Sequence, residues 1–504
     1  MARRPYVASA ALLLLLAASL ATTTTAPAPA SATPSVRHAC AASARWQCRA
    51  EVRTPDTSTS RTTARAARTA ASGDFGYTAA QLQQIYRTAG ISPADGTPTI
   101  AVVDAFDYPH AEGDLATYRS TMGLPACTVA SGCLSIVNQD LGSTLPPAAP
   151  VSDDWTIESA LDLDMASAVC PRCHLVLVEA TTDADNGLVT GAVKAASLAH
   201  YVSMSWGGAD DGSIATDTFA VPGTIYAGAT GDNGHEAQPD VPDSLTGVVA
   251  VGGVSLASTT ATPTAWSGAG SSCSTRVPKP AVQATLTTDC VGKATSDLSA
   301  IADPHTGMGV YDTSNGNGGW NEVGGTSAAT PIIAALYAVA GNHTVPFAAY
   351  TDLARYPSLL EDVTSGSNSL VCLSVACVAG TGWDGPTGIG MPLTPEAVAL
   401  PLARMHVAVA RLVGRKGHAL VRVITLPTSV PDTAGTRQAL AHVGARVTGL
   451  PRGLHWSVSG TRLTIRGTPT RVGTGRARIT LSGTTPAGRT AGGSTSFGWV
   501  IRRR

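Results

Sequence analysis

Between residue 73 and about residue 400, short runs of β-branched and apolar residues alternate with stretches rich in Ala and Leu. The runs 99–103, 174–178, 201–205, 224–228 and 248–252 carry apolar residues at consecutive positions instead of every second one. That pattern predicts strands covered on both faces. The stretches 77–88, 157–168, 187–199 and 327–340 predict helices. Strands and helices in alternation predict an α/β fold, a doubly wound parallel sheet with helices on both faces. From about Met405 the texture changes. The segments 406–412, 418–424, 446–448, 463–465, 476–481 and 496–501 read as short strands separated by turn residues, which predicts a C-terminal all-β sandwich over 405–504.

The N-terminus has a different pattern. Arg3 and Arg4 precede an apolar run from Val7 to Ala21, and Ser19-Leu20-Ala21 and Ala30-Ser31-Ala32 both offer small residues for cleavage. Residues 1–32 therefore read as a secretory signal peptide, and a secreted, extracellular protein is expected. The run is shorter than the ~20 residues a spanning helix needs, so no stable membrane insertion is expected. Residues 33–72, rich in Ala, Thr, Ser, Pro and Arg without apolar periodicity, read as a flexible linker or short pro-segment. The ten cysteines fall as neighbours, Cys40/Cys48, Cys127/Cys133, Cys170/Cys173, Cys273/Cys290 and Cys372/Cys377. Five short-range disulfides are the natural expectation in an oxidising compartment.

The 504 residues give room for two to four domains. The net charge of −1 conceals an asymmetry. Residues 1–72 carry nine basic and two acidic side chains, 73–395 carry eight and 31, and 396–504 carry 17 and two. An acidic centre between basic ends is not the footprint of a nucleic-acid binder. The basic C-terminal module could dock on anionic cell-wall polymers, and a monomer is expected.

The strongest chemical signal is Gly324-Gly325-Thr326-Ser327-Ala328-Ala329-Thr330-Pro331. A serine there opens a helix, where its backbone N–H faces developing negative charge. A plain helix cap would also explain it. A nucleophile needs a base. None of the 11 histidines lies in a His-Gly-Thr-His setting, and His110 reads as a surface residue. Glu158 and Asp162 stand four apart on a predicted helix among apolar neighbours, so both carboxyls share one face. A solvated acidic face is the bland alternative, a proton relay the sharp one. Asp232, in Gly231-Asp232-Asn233-Gly234, follows an apolar strand, where open α/β sheets place ligands.

In this order the residues resemble the sedolisin family, serine-carboxyl peptidases with a subtilisin-like fold. Val202-Ser203-Met204-Ser205-Trp206-Gly207 and Val248-Val249-Ala250-Val251-Gly252-Gly253 add to the likeness, which runs from about residue 77 to 392. The resemblance implies Ser327 as nucleophile, Glu158 as general base, Asp162 as the carboxyl orienting it and Asp232 as the oxyanion acid. It implies a secreted endopeptidase acting on proteins or peptides, at acidic pH because Asp232 must be protonated to donate. It also implies one structural Ca²⁺, held by the Asp362 and Asp384 side chains and the carbonyls of Val363, Gly380 and Gly382. Asp362-Val363-Thr364 and Gly380-Thr381-Gly382-Trp383-Asp384 carry that match, and such hard oxygen donors suit the ion. The family's large propeptide has no counterpart of that size before residue 73. Leu450-Pro451-Arg452-Gly453-Leu454 and Gly467-Thr468-Pro469-Thr470 resemble immunoglobulin-like modules of bacterial surface proteins.

Two decoys are set aside. Cys170-Pro171-Arg172-Cys173-His174 fits a haem-attachment motif, but His174 opens a strand the sheet needs, so a small disulfide is preferred. Asn342-His343-Thr344 is a glycosylation sequon by letters alone. The rival reading is a catalytically inactive peptidase-fold protein used for surface adhesion or binding. The complete set Glu158, Asp162, Asp232 and Ser327 argues against it.

Overall fold

The computed structural model describes residues 35–42, 44–54, 75–94, 96–236, 238–352, 357–400, 402–432, 437–485 and 490–503. The expected signal peptide and residues 33, 34, 43 and 55–72 lie outside the described residues. The rest of the segment expected as a flexible linker does not behave as one. It forms β1 (Val36–His38), β2 (Gln47–Cys48) and β3 (Glu51–Arg53), with β1 and β3 paired antiparallel. Trp46 is buried, its indole N–H bonded to the Asp185 carbonyl at 2.6 Å. Composition failed here because the segment's few apolar residues, Trp46, Ala50 and Val52, pack into the main core without needing periodicity.

The central strands are β4 (Thr99–Ala105), β5 (Leu134–Asn138), β6 (His174–Ala180), β7 (Tyr201–Met204), β8 (Trp206–Ala209), β9 (Ile225–Ala229), β10 (Asp240–Val241) and β11 (Val248–Ser255). β12 (Thr264–Ala265), β13 (Ser272–Pro278), β14 (Gly292–Thr295), β15 (Leu298–Ile301), β16 (Met308–Asp312) and β17 (Gly319–Gly324) follow. One sheet has the order β12-β11-β9-β7-β4-β6-β5, and β15 pairs with β11. Every pair from β11 to β5 is parallel. β4 is buried at six consecutive positions, Ile100 to Ala105, so both of its faces are covered, as the unbroken apolar runs predict. The five strands expected from sequence all form, with ends shifted by one to three residues.

The helices are α1 (Ala79–Ile85), α2 (Ala111–Thr121), α3 (Trp155–Val169), α4 (Gly187–Ala195) and α5 (Thr326–Ala340). Thr78 and Gln81 form a reciprocal capping box at the start of α1. α3 is buried at all 15 positions and α5 at 14 of 15, which leaves no solvated face on either. Gly341 closes α5 in the left-handed conformation, φ 69°. All five expected disulfides are present, including Cys170–Cys173 with His174 opening β6. Asn342 of the sequon is buried and donates to the Val345 and Val398 carbonyls, a setting that excludes a glycan.

The C-terminal region has a four-stranded and a three-stranded sheet sharing one core of Ile424, Leu463, Ile465, Ile479, Leu481 and Phe497. Only the end of the expected strand 406–412 is a strand. Pairing starts at Leu412, because Leu412–Arg415 runs parallel to residues 499–502. Leu454–Ser459 forms a strand that the sequence reading passed over. This core is separate from the one that spans Ala39 to Val398. Leu463→Ala should therefore cost about 2–5 kcal/mol in the C-terminal transition alone. Differential scanning calorimetry should show that transition lowered and the other unmoved; a common shift would mean a single cooperative core.

Candidate active site

The sheet's C-terminal edge assembles the predicted residues. β9 ends at Ala229, and the following turn, with Gly231 at φ 101°, delivers Asp232. Its Oδ1 accepts from the Thr326 backbone N–H and the Thr326 hydroxyl, both at 2.8 Å. Asp232 thus caps the N-terminus of α5, where the helix dipole favours an acceptor. Its Oδ2 is buried with no partner among the described residues. Gly325 has φ 97°, and an added Cβ would lie 2.8 Å from that Oδ2. Only glycine allows the backbone to pass so close to the carboxyl.

Ser327 occupies the second residue of α5 and is fully buried. Pro331 four residues on has no N–H to give its carbonyl. The Ser205 hydroxyl lies 3.4 Å from that carbonyl instead and donates to Asp162 Oδ1 at 2.7 Å. Ser327 Oγ points at the Ser205 carbonyl, 3.0 Å away. It also lies beside Glu158, close enough to favour that residue's anionic form, while both Glu158 oxygens are buried without a hydrogen-bond partner among the described residues.

Glu158 and Asp162 project from α3 one turn apart, both fully buried. A third carboxyl, Asp104 at the end of β4, joins them, and ligand oxygens of all three lie within 4.8 Å of one another. Sequence reasoning missed Asp104. The signal was available, a lone charge at the C-terminal end of an apolar parallel strand. Three carboxyls in one dry cluster cannot all ionise. Burial first, then Asp162 and Asp104, holds Glu158 well above its ordinary range. Burial and then Asp104 does the same to Asp162. Asp104 itself is pushed up to about 7 by burial, against a lowering contact from Ser159. Asp232 also reaches about 7 through burial, which outweighs the Thr326 backbone N–H, the Arg49 guanidinium and the Thr326 hydroxyl.

His110 is exposed, its ring nitrogen 2.9 Å from the Thr313 hydroxyl, and takes no part in this cluster. Trp206 is buried, donating to the Val103 carbonyl at 2.9 Å and packed edge-on against Trp46 at 5.3 Å.

The expected cation ligands lie together elsewhere. Asp362 accepts twice from the Gly382 N–H at 3.1 Å. Asp384 accepts from the Gly380 N–H at 3.1 Å and from the Thr387 hydroxyl at 2.7 Å. Burial is the first cause that lifts Asp384 to about 7, and the nearby Asp362 adds to it. Among the described residues no donor reaches the carbonyls of Val363, Gly380 or Gly382. Two mutually repelling carboxyls beside open carbonyls fit a hard divalent cation.

Residues 157–349 match the family model described as the subtilase family. Kumamolisin from Bacillus sp. (strain MN-32) is 29% identical over 321 residues, covering 56% of this chain and 56% of kumamolisin. Sedolisin from Pseudomonas sp. (strain 101) is 26% identical over 376 residues, covering 64% and 61%. These matches support the sedolisin family for the region they cover. The solved structure of Pseudomonas sedolisin, a serine-carboxyl proteinase complexed with two molecules of pseudo-iodotyrostatin, aligns with TM-score 0.55 and 24% identity. That alignment covers 63% of this chain and 96% of the sedolisin chain, and it establishes the shared fold. The chain spans between a half and two thirds of the length of these two curated relatives.

The carboxyl cluster makes stability depend on pH. The folded-state value of Asp104, about 7, lies above the ~4 of an unfolded aspartate. Between those values the folded protein keeps a proton that the unfolded chain has released, so stability falls as pH rises from about 4 to 7. Asp104→Asn should flatten that slope and raise the midpoint at pH 8 relative to the parent. Denaturant melts at pH 4, 6 and 8 check it; an unchanged slope would mean the trio is not protonated as described.

Proposed function

We propose that this sedolisin-family chain is a secreted serine-carboxyl endopeptidase that cleaves peptide bonds through an acyl-enzyme. The observation that carries the reading is a serine at a helix N-terminus beside a buried cluster of three carboxyls, with a fourth carboxyl, Asp232, capping the same helix end. Glu158 in its anionic form accepts the Ser327 hydroxyl proton as Oγ attacks the substrate carbonyl. Asp162, fixed by the Ser205 hydroxyl, stays protonated and steadies the charge on Glu158. The Ser327 N–H and protonated Asp232 receive the oxyanion. Glu158 returns the proton to the leaving amine, and water completes the cycle. Export is supported by the signal-like N-terminus and by five disulfides with no free cysteine among the described residues.

Asp232 can donate only when neutral, so activity should decline as pH rises through about 7. Deprotonated Glu158 is needed at the other limb, which gives a bell-shaped profile. Glu158→Gln should lower kcat by roughly 10²–10⁴-fold at every pH, the range general-base catalysis supplies. Hydrolysis of a denatured protein from pH 2 to 9 checks both statements. Alkaline activity that survives the substitution would assign another base to Ser327.

The second site binds Ca²⁺ in this proposal. Asp362, Asp384 and the carbonyls of Val363, Gly380 and Gly382 hold the ion, which screens the two carboxyls from each other. A chelator should lower the melting temperature of the parent and leave that of Asp384→Asn unmoved. Equal sensitivity in both would remove calcium from this loop.

A further inference from the structure

The N-terminal segment lies in the cleft in the manner of a substrate. β2 pairs antiparallel with β8, Gln47 opposite Gly207 and Cys48 opposite Trp206. The Arg49 N–H continues the ladder to the Ser205 carbonyl at 3.1 Å. The Arg49 carbonyl accepts the Ser327 backbone N–H at 3.1 Å, the donor expected to hold the oxyanion. A Cβ on Gly325 would lie 1.9 Å from this carbonyl and 2.8 Å from Asp232 Oδ2, so both crowd the same point. Beyond the Arg49–Ala50 bond the chain pairs with β17, Glu51 opposite Gly324 and Val52 opposite Val323. Glu51 is pushed up to about 8 by burial and then by Asp232, as its place over the site requires.

The Arg49 side chain is 5% exposed. Its guanidinium pairs with the Asp240 carboxylate, which is itself largely buried. Two glycines wall the pocket. A Cβ on Gly207 would lie 3.1 Å from Arg49 Nη2, and one on Gly231 would lie 3.5 Å from Cζ. A slot of this width, in which Asp240 is the carboxylate in direct contact while Glu236, Asp243 and Asp232 add to the negative field, suits a planar cation. An uncharged side chain there would give up the charge pair with Asp240, a loss of roughly 30-fold or more for such pairs.

We propose that Asp240 makes the acyl-side pocket selective for arginine, and that the chain's own Arg49–Ala50 bond is a substrate seated in it. The inference rests on the peptidase reading of the same site. The Ser327 oxygen bonds to the Arg49 carbonyl carbon while its proton passes to Glu158. The bond to the Ala50 nitrogen breaks, and that nitrogen takes the proton. Water then hydrolyses the Arg49 ester and restores Ser327, so one peptide bond and one water become an Arg49 carboxylate and an Ala50 amine. No disulfide spans the bond: Cys40–Cys48 lies before it and the other four lie after it. The fragment ending at Arg49 is then held only by noncovalent contacts and can vacate the cleft.

The full chain, Ser327→Ala and Asp240→Asn are incubated at pH 4 with synthetic decapeptides that differ only in an arginine or a leucine before the cut. Intact mass and N-terminal sequencing follow the chain itself. The parent should acquire an N-terminus at Ala50, and Ser327→Ala should stay joined. The parent should cut the arginine peptide at least roughly 30-fold faster than the leucine one, the lower end of what such a charge pair supplies. In Asp240→Asn that ratio should collapse. The parent's own ratio needs no folded variant to be read. A parent that digests the peptides with residues 49 and 50 still joined overturns the inference. So do equal rates on the two peptides, or an Asp240→Asn ratio like the parent's. A parent that cuts neither itself nor any peptide from pH 2 to 9 instead sinks the peptidase reading.

Discussion

The structure turns on the crowding of carboxyl groups in a place without water. Asp104, Glu158 and Asp162 are all fully buried with oxygens within 4.8 Å of one another. Among the described residues, no ion pair is formed by any of the three. Such a cluster can persist only by retaining protons, because an uncompensated buried charge costs far more than a shifted pKa. The rest of the architecture serves to hold it. A parallel sheet buried on both faces supplies Asp104 from one strand end and Asp232 from another. A helix without a solvated face supplies Glu158 and Asp162, and α5 brings Ser327 up to them. The same burial that raises the pKa values denies the carboxyls the solvent that would let them ionise independently.

Much of this was legible because its signals are local. The spacing of Glu158 and Asp162 needs only a helix, and the apolar neighbours that predict that helix also predict its burial. Ser327 is marked by glycines before it and alanines after it. The five disulfides close loops of 3 to 17 residues in sequence separation, so neighbouring cysteines find each other by default. Asp104 was harder to see. One carboxyl at a strand end has no partner in the sequence around it, and its meaning comes from a helix more than 50 residues away. The strand 406–412 failed for a related reason: an apolar alternation was present, but the available partner, residues 499–502, engages only from Leu412 onward.

The N-terminal segment shows the limit of reading composition. Its Ala, Thr, Ser and Arg content resembles a linker, and nothing in residues 35–54 alone predicts burial. What orders it is supplied by the larger domain: a free strand edge at β8, a second at β17 and a carboxylate 191 residues away along the chain. Cys48 fixes the strand by its disulfide to Cys40, and Trp46 anchors it against Trp206. A segment whose contacts are borrowed in this way folds as a ligand folds, by complementarity to a surface already made.

Asp232 and Asp240 then present opposite demands within one cleft. Burial raises both. In the proposed reaction Asp232 keeps its proton to donate to an oxyanion, and its strongest lowering influence is a single backbone N–H. Asp240 must lose its proton to hold a guanidinium, and the guanidinium itself is what lowers it. Both feel the Arg49 guanidinium, but only Asp240 is in direct contact with it. With the pocket empty at acid pH, burial favours the neutral form of Asp240. An arriving arginine favours the anion, so its binding carries the release of a proton, whereas Asp232 in the proposed mechanism retains its own. On the proposed reading, the distinction between recognition and catalysis in this cleft is therefore written in which carboxyl a cation can touch.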